Sequence, residues 1–314
     1  MMENELVDWL LNADTPSIPY FLLKNVIHLP ADDKQILLAR RAISRSGPAP
    51  AILARQTRAG SWRNDRSFYT PKYFSTHWSM MLLAELGLDR ADPGFRRGAA
   101  YMLAATEKGL APWQNVESTG VACLWGNILR YVLQAGFADV PRVEILTRKV
   151  VSDLEQDFCR CKHNQNRPCA WGVVRALWGL AAIPKQRRSR RVGKAIKQGL
   201  AFLMESRHLE KANFPFPKGG KINPIWFGLN FPLFYQADIL FTLRVLGELD
   251  ALDHPGAQPA LDWLTRKRAK NGRWRGASPF RQRTWKTLGG SKETDRWITL
   301  FSLQVLQQAG RLPH

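Results

Sequence analysis

The chain repeats itself, and that constrains it more than any other feature. One unit runs from Ala51 to Gln56, turns through Gly60-Ser-Trp62, crosses a loop and continues from His77-Trp78 to Gly87. The last unit places the same parts in the same order: Ala260 to Lys267, Gly272-Arg-Trp274, a loop, then Arg296-Trp297 to Leu306. Degenerate copies lie between them, pairing residues 99–105 with 122–130, 143–154 with 168–175, and 195–204 with 235–241. Each copy reads as helix, turn, helix, with apolar residues at helical spacing and glycine stops such as Gly87, Gly136 and Gly310. A single helix pair cannot bury its own apolar face, so such units are stable only when stacked on one another.

The repeats predict an all-α chain of five helix pairs. Residues 1–47, helical from Ile18 to about Ile43, would add a sixth pair, making 1–314 one domain. The length suits one sizeable core. No run of apolar residues is long enough to cross a bilayer, and the first fourteen residues carry acids rather than a basic leader. These features predict a soluble, cytoplasmic chain.

The Gly60-Ser-Trp62 and Gly272-Arg-Trp274 turns, each leading to an aromatic-led second helix, resemble the repeats of the terpenoid cyclase and protein prenyltransferase superfamily, as in squalene cyclases. The likeness spans roughly residues 48–308. It implies an α/α toroid, a ring of outer and inner helices around a central cavity. The cyclase acid motif Asp-x-Asp-Asp is absent, since Asp32-Asp33, Asp89 with Asp92, and Asp250 with Asp253 do not fit it. Function therefore has to be read from the site rather than the scaffold.

Four cysteines occur, three of them crowded at Cys159, Cys161 and Cys169. Cys123 and Cys169 hold equivalent places, each followed by x-Trp-Gly at the start of a second helix. Adjacent helix starts would lie side by side, and Cys161-Lys-His163 enters from the loop between them. Cys123, Cys161, His163 and Cys169 therefore form a candidate Cys3His shell for a structural zinc, with Cys159 able to replace Cys161. The alternative is that these are small buried hydrophobes beside a surface histidine.

Charge is the strongest compositional signal: 46 Lys and Arg against 26 Asp and Glu leave +20. The excess gathers at Arg187, Arg188, Arg190, Arg191, Lys194 and Lys197, at Arg266, Lys267, Arg268, Lys270, Arg273 and Arg275, and at Arg281, Arg283 and Lys286. Such a field attracts polyanions, and DNA is the leading expected partner.

A toroid cavity would be lined by residues at the inner-helix starts. The pocket candidates are Tyr73, His77, Trp78, Asn127, Trp226, Asn230, Tyr235 and Trp297, and the acid candidates are Asp238, Glu117 and Asp295. Asp238 stands just before the apolar run from Ile239 to Leu246, where a carboxylate either caps the helix or projects into the cavity. In an aromatic pocket its pKa would rise, as a general base requires. The leading expectation is an enzyme that draws a flipped, bulky base into an aromatic cavity and hydrolyses its N-glycosidic bond, without an organic cofactor. Two others stand beside it: an isoprenoid or prenyl diphosphate enzyme, and a non-enzymatic toroid that coats nucleic acid.

Overall fold

A computed structural model describes residues 4–63, 66–110, 120–217 and 219–312. Helices make up its regular structure: α1 (Asn4–Leu11), α2 (Ser17–Asn25), α3 (Lys34–Arg45), α4 (Pro48–Leu53), α5 (Thr76–Glu85), α6 (Pro93–Leu110) and α7 (Ala122–Gln134). They continue as α8 (Pro141–Glu155), α9 (Ala170–Ala181), α10 (Arg190–Ala201), α11 (Ile239–Glu248), α12 (Gln258–Arg266) and α13 (Ser291–Gln308). Among the described residues, extended pairing is confined to isolated bridges, so the all-α expectation holds. No described helix is both long and apolar enough to cross a membrane.

Local chemistry sets many of the boundaries. Proline opens α4 and α8, where the missing N–H would be unpaired in any case. Asp33 caps α3 by accepting from Gln35 N at 2.7 Å, and Ser189 caps α10 by accepting from Val192 N at 3.3 Å.

Buried and amphipathic helices alternate. Every residue of α5 is buried, and α9, α11 and α13 are buried over most of their length. Of the helices preceding them, α8, α10 and α12 each keep an exposed side, while the short α4 is only partly buried. A helix apolar all round needs neighbours on every side. These have them: α5 packs on α7, α7 on α9, α9 on α11, α11 on α13, and α13 on α2. The amphipathic α4, α6, α8 and α12 cover α5, α7, α9 and α13 from outside. The pairing expected of 195–204 with 235–241 is looser, because α10 packs mainly on α8 and α9.

The two clearest sequence repeats are also structural repeats. Trp62 donates from its indole to Ile52 O at 2.8 Å and from its backbone N to Thr76 Oγ1 at 3.0 Å. Trp274 makes the same pair, to Leu264 O at 2.8 Å and Thr299 Oγ1 at 3.0 Å. Trp62 pins the end of α4 to the start of α5, and Trp274 pins the end of α12 to the middle of α13.

The closest helix contact depends on glycine. A Cβ on Gly126 would lie 2.3 Å from Arg175 O, and one on Gly179 would lie 2.5 Å from Gly126 O. Without side chains at those positions, α7 and α9 meet backbone to backbone and bring Cys123 and Cys169 to neighbouring helix starts.

The N-terminal region docks on the last unit. Glu293 accepts from Thr15 N at 3.0 Å, and Arg296 donates to Trp9 O at 3.1 Å. From the same region, Ser17 donates to Leu86 O, just past α5, at 2.7 Å.

Candidate functional site

At the position expected for zinc, the chain folds into a tight loop between α8 and α9. Asp157, Phe158 and Cys159 take positive φ, and Cys169 N donates back to Phe158 O at 3.2 Å. Cys161 N bonds Arg167 O at 3.1 Å, while Cys161 O accepts from Asn164 N at 2.8 Å and Asn166 N at 2.9 Å. Asn164 ties this loop to Pro168 O and Pro215 O.

The thiols of Cys161 and Cys169 are hydrogen-bonded to one another. The bond from Cys169, joined by backbone N–H donors of His163 and Asn164, lowers Cys161 to about 6 against the effect of burial. The same bond, with burial, raises Cys169. Burial, with the nearby Cys161, pushes Cys123 up to about 12, and burial also raises Cys159. Among the described residues no three His, Cys, Asp or Glu side chains are arranged to hold a metal ion. What stands there is a pair of thiols in contact, with Cys123 alongside and His163 exposed.

Beside the thiols lies a group of tyrosines. Tyr73 packs on Trp78, Phe234 and Phe280 with ring centroids 5.3, 4.8 and 4.9 Å apart. Tyr235 is raised to about 12 by burial together with the nearby Tyr73, to which it is hydrogen-bonded. Tyr69 is raised to about 12 by burial and the neighbouring Cys123. Lys72 spans this group, its Nζ 5.7 Å from the Tyr69 ring and 5.4 Å from that of Tyr235. His77 is buried, lowered to about 3 by burial and by Arg175, and sits 3.2 Å from the Tyr131 hydroxyl.

The remaining pocket candidates divide. Trp78 and Trp226 are fully buried and donate to Tyr69 O at 2.8 Å and Leu209 O at 3.0 Å, as core tryptophans do. Trp297 is wedged between Phe231 and Phe301, at 4.5 and 5.1 Å. Asn127 is fully buried, and neither of its amide atoms has a hydrogen-bond partner.

Asp238 caps α11. Its Oδ1 accepts from Phe241 N at 2.7 Å, and its Oδ2 accepts from Asn230 N at 2.8 Å and Asn230 Nδ2 at 2.9 Å. Burial raises it to about 6, against those hydrogen bonds. Both oxygens are engaged, so the carboxylate serves the helix start and holds Asn230 rather than facing open space. Glu117 lies outside the described residues.

Asp295 stands elsewhere, and it joins two sets of residues that the sequence left apart. It accepts from Gly276 N at 2.7 Å and lines a cavity of about 650 Å³ together with Trp9, Lys270, Arg273, Arg275 and Lys292 at the N-terminus of α13. Arg273 lies over the Trp9 ring at 4.2 Å and pairs with Glu5 at 3.7 Å.

Several of the other basic residues are occupied. Arg187 pairs with Asp139, and Arg191 pairs with Glu155 at 2.7 Å. Arg188 donates to Ile183 O at 2.9 Å, Arg268 to Gly272 O at 3.1 Å and Arg281 to Thr294 Oγ1 at 2.6 Å. Lys267 covers Trp263, and Arg283 covers Tyr73. Among the described residues, Arg190, Lys194, Lys197, Arg266, Lys270, Arg275 and Lys286 are exposed and face no carboxylate at ion-pair distance.

Three arginines were missed in the sequence. Arg175 is fully buried, lies 3.8 Å from the Phe241 ring centroid, donates to Gln236 O and is lowered to about 9 by burial. Arg244 lies over Phe301 at 3.6 Å and pairs with Glu85 at 2.8 Å, while Arg130 pairs with Glu248 and covers Trp178. Arg130 and Arg244 border a cavity of about 490 Å³ that also touches Tyr20, Phe21, Trp178 and Phe301. The cavity lies at the C-terminal ends of the buried helices, opposite the end expected to hold the pocket. An arginine inside an otherwise apolar helix was the available signal.

No family model matches the chain, and neither a curated protein nor a solved structure is significantly similar to it.

Proposed function

We propose that this chain is a helical toroid that binds nucleic acid through its phosphate backbone. The ring is supported by the unbroken series of contacts from α5 through α7, α9, α11 and α13 to α2, and by the Ser17 bond back to the end of α5. The observation that carries the binding is the gathering of Lys270, Arg273, Arg275 and Lys292 around one cavity of about 650 Å³ at the start of α13, where these four cations outnumber Asp295, the acid that shares the lining and is held by Gly276 N. A helix N-terminus adds its own partial positive charge and free N–H groups, so the site suits phosphate oxygens. Trp9 stands on the same wall, its ring stacked against Arg273 at 4.2 Å. A formal charge of +20 extends the attraction beyond a single phosphate.

Excision of a base asks more of the site. The acid expected to perform it, Asp238, is committed to Phe241 and Asn230, and would have to release Asn230 before it could hold a water. The proposed function therefore ends at binding.

Binding to duplex and single-stranded DNA, measured across salt, is the test. Neutralising four phosphates gives a slope of log K against log salt of about −3 to −4. A slope near zero, or no binding at low salt, would exclude the function.

A further inference from the structure

The helix α3 presents apolar side chains to solvent in an orientation that its contacts fix. Ile36 and Ile43 are its buried residues, and it packs on α2 and α4. Asp33 caps its start, Arg40 pairs with Asp89 and Asp92, and Ser44 donates to Asp92 Oδ1 at 2.9 Å. These ties set the rotation of the helix and leave Leu37 and Leu38 outside, 43% and 64% exposed. The exposed Lys34 and Arg41 lie three or four residues from both leucines, one on each side along the axis, and Arg45 stands one turn further on. Among the described residues these three cations face no carboxylate at ion-pair distance. Asp33 is spent on the cap, and the exposed Asp32 offsets only one of them.

A single exposed leucine is ordinary, but two side by side, bracketed by unpaired cations on a helix that cannot roll them inward, match a particular partner. A nucleic acid answers the cations and leaves the leucines in water. A membrane with anionic lipids answers both, because its phosphates lie directly above an apolar layer. We infer that the exposed face of α3 is a docking surface for an anionic lipid membrane. Leu37 and Leu38 enter the boundary between headgroups and acyl chains, while Lys34, Arg41 and Arg45 reach lipid phosphates around them. The long stems of these basic residues lie along the apolar boundary and keep their charged ends in the phosphate layer. The formal charge of +20 favours the approach. Because α3 is already folded and docked, no segment has to be ordered when it binds. The inference is independent of the basic cavity at the start of α13, with which this face shares no residue.

The experiment is co-sedimentation of the full chain, at physiological salt, with vesicles of phosphatidylcholine alone and of phosphatidylcholine mixed with phosphatidylglycerol. The wild type should sediment with the mixed vesicles and stay in solution beside the neutral ones. The double variant Leu37→Ser, Leu38→Ser should lower binding about tenfold with net charge unchanged. Lys34→Glu with Arg41→Glu should lower it about tenfold or more. Arg190→Glu with Lys194→Glu, the same change of charge placed on α10, should have a much smaller effect, because charges held away from the lipid are screened. Circular dichroism checks that the variants fold, and the single Leu38→Ala variant, at the more exposed position, should still lower binding about threefold. The inference is overturned if the wild type ignores the mixed vesicles, if the leucine variants bind as it does, or if the α10 variant loses as much as the α3 one. It is also overturned if sedimentation velocity shows a dimer that Leu38→Ala dissolves, since a second copy would then cover the leucines. Vesicle binding can fail while salt-dependent DNA binding succeeds, so the two readings fall separately.

Discussion

Asn230 is held by Asp238 at two points: Oδ2 accepts both its backbone N–H at 2.8 Å and its side-chain amide at 2.9 Å. The other oxygen accepts from Phe241 N and starts α11. One buried carboxylate thus fixes a helix end and the irregular segment ahead of it. Replacing Asp238 with Ala should cost about 2–4 kcal/mol, since it removes a cap and leaves buried donors unpaired. Asp238→Asn should recover part of that loss, because its amide oxygen still accepts. Urea unfolding of the two variants checks the order.

The same carboxylate gives a pH dependence with a definite sign. Burial raises Asp238 from its ordinary 3.8 to about 6, so the folded state binds its proton more readily than the unfolded one. Its contribution is full below about pH 4 and is lost as pH rises through 6. His77 works the other way. Lowered from 6.5 to about 3, it contributes above pH 6.5 and loses that contribution as pH falls. Asp238→Asn should therefore unmask a steeper loss of stability on acidification than the wild type shows, and His77→Gln a shallower one. Thermal melts from pH 4 to 7 check both; unchanged profiles would mean that neither group is buried as described.

The approach of α7 to α9 makes Gly126 intolerant of a side chain. Gly126→Ala must push backbone against backbone at 2.3 Å and should destabilise the chain by about 1–3 kcal/mol or more. Gly193, in α10, has nothing within 4 Å of its missing Cβ. Gly193→Ala should stabilise by about 0.5–1 kcal/mol through helix propensity alone. Denaturation midpoints distinguish the two.

Trp62 and Trp274 make matching hydrogen bonds in the first and last clear units. Trp62→Phe and Trp274→Phe should each cost about 1–3 kcal/mol for the stranded carbonyl, plus a packing loss. Similar costs would confirm that the two turns do the same job, and a cost confined to one would show that the repeat is only formal.

These tryptophan turns were legible because Gly-x-Trp occurs twice with the same parts in the same order, and the two copies make matching hydrogen bonds. Asp238 before an apolar run was legible as one of two alternatives, and its hydrogen bonds to Phe241 N and Asn230 decide for the cap. The three arginines were not, because charge counted along a sequence reads as surface. Only packing shows Arg175 over Phe241 and Arg244 over Phe301, where aromatic faces and a nearby Glu85 offset the desolvation of the guanidinium. Arg244 and Phe301 border the cavity at the C-terminal ends of the buried helices, away from the inner-helix starts where a pocket was expected. The thiols were expected together and two of them are. The register of α7 and α9 sets Cys123 beside Cys169, whereas the places of Cys161 and His163 depend on a loop whose path the sequence does not specify. Asp295 joined the basic residues because Gly276 N captures it, a loop contact with no sequence signal.

In the proposed function, the cavity at the start of α13 receives phosphates. The most direct measurement is DNA affinity against salt for the wild type, Arg275→Ala and the Lys270→Glu, Arg275→Glu double variant. Arg275→Ala should reduce the magnitude of the salt slope by about one, and the double variant should lower affinity at least tenfold with folding unchanged. Equal slopes and affinities in all three would contradict it.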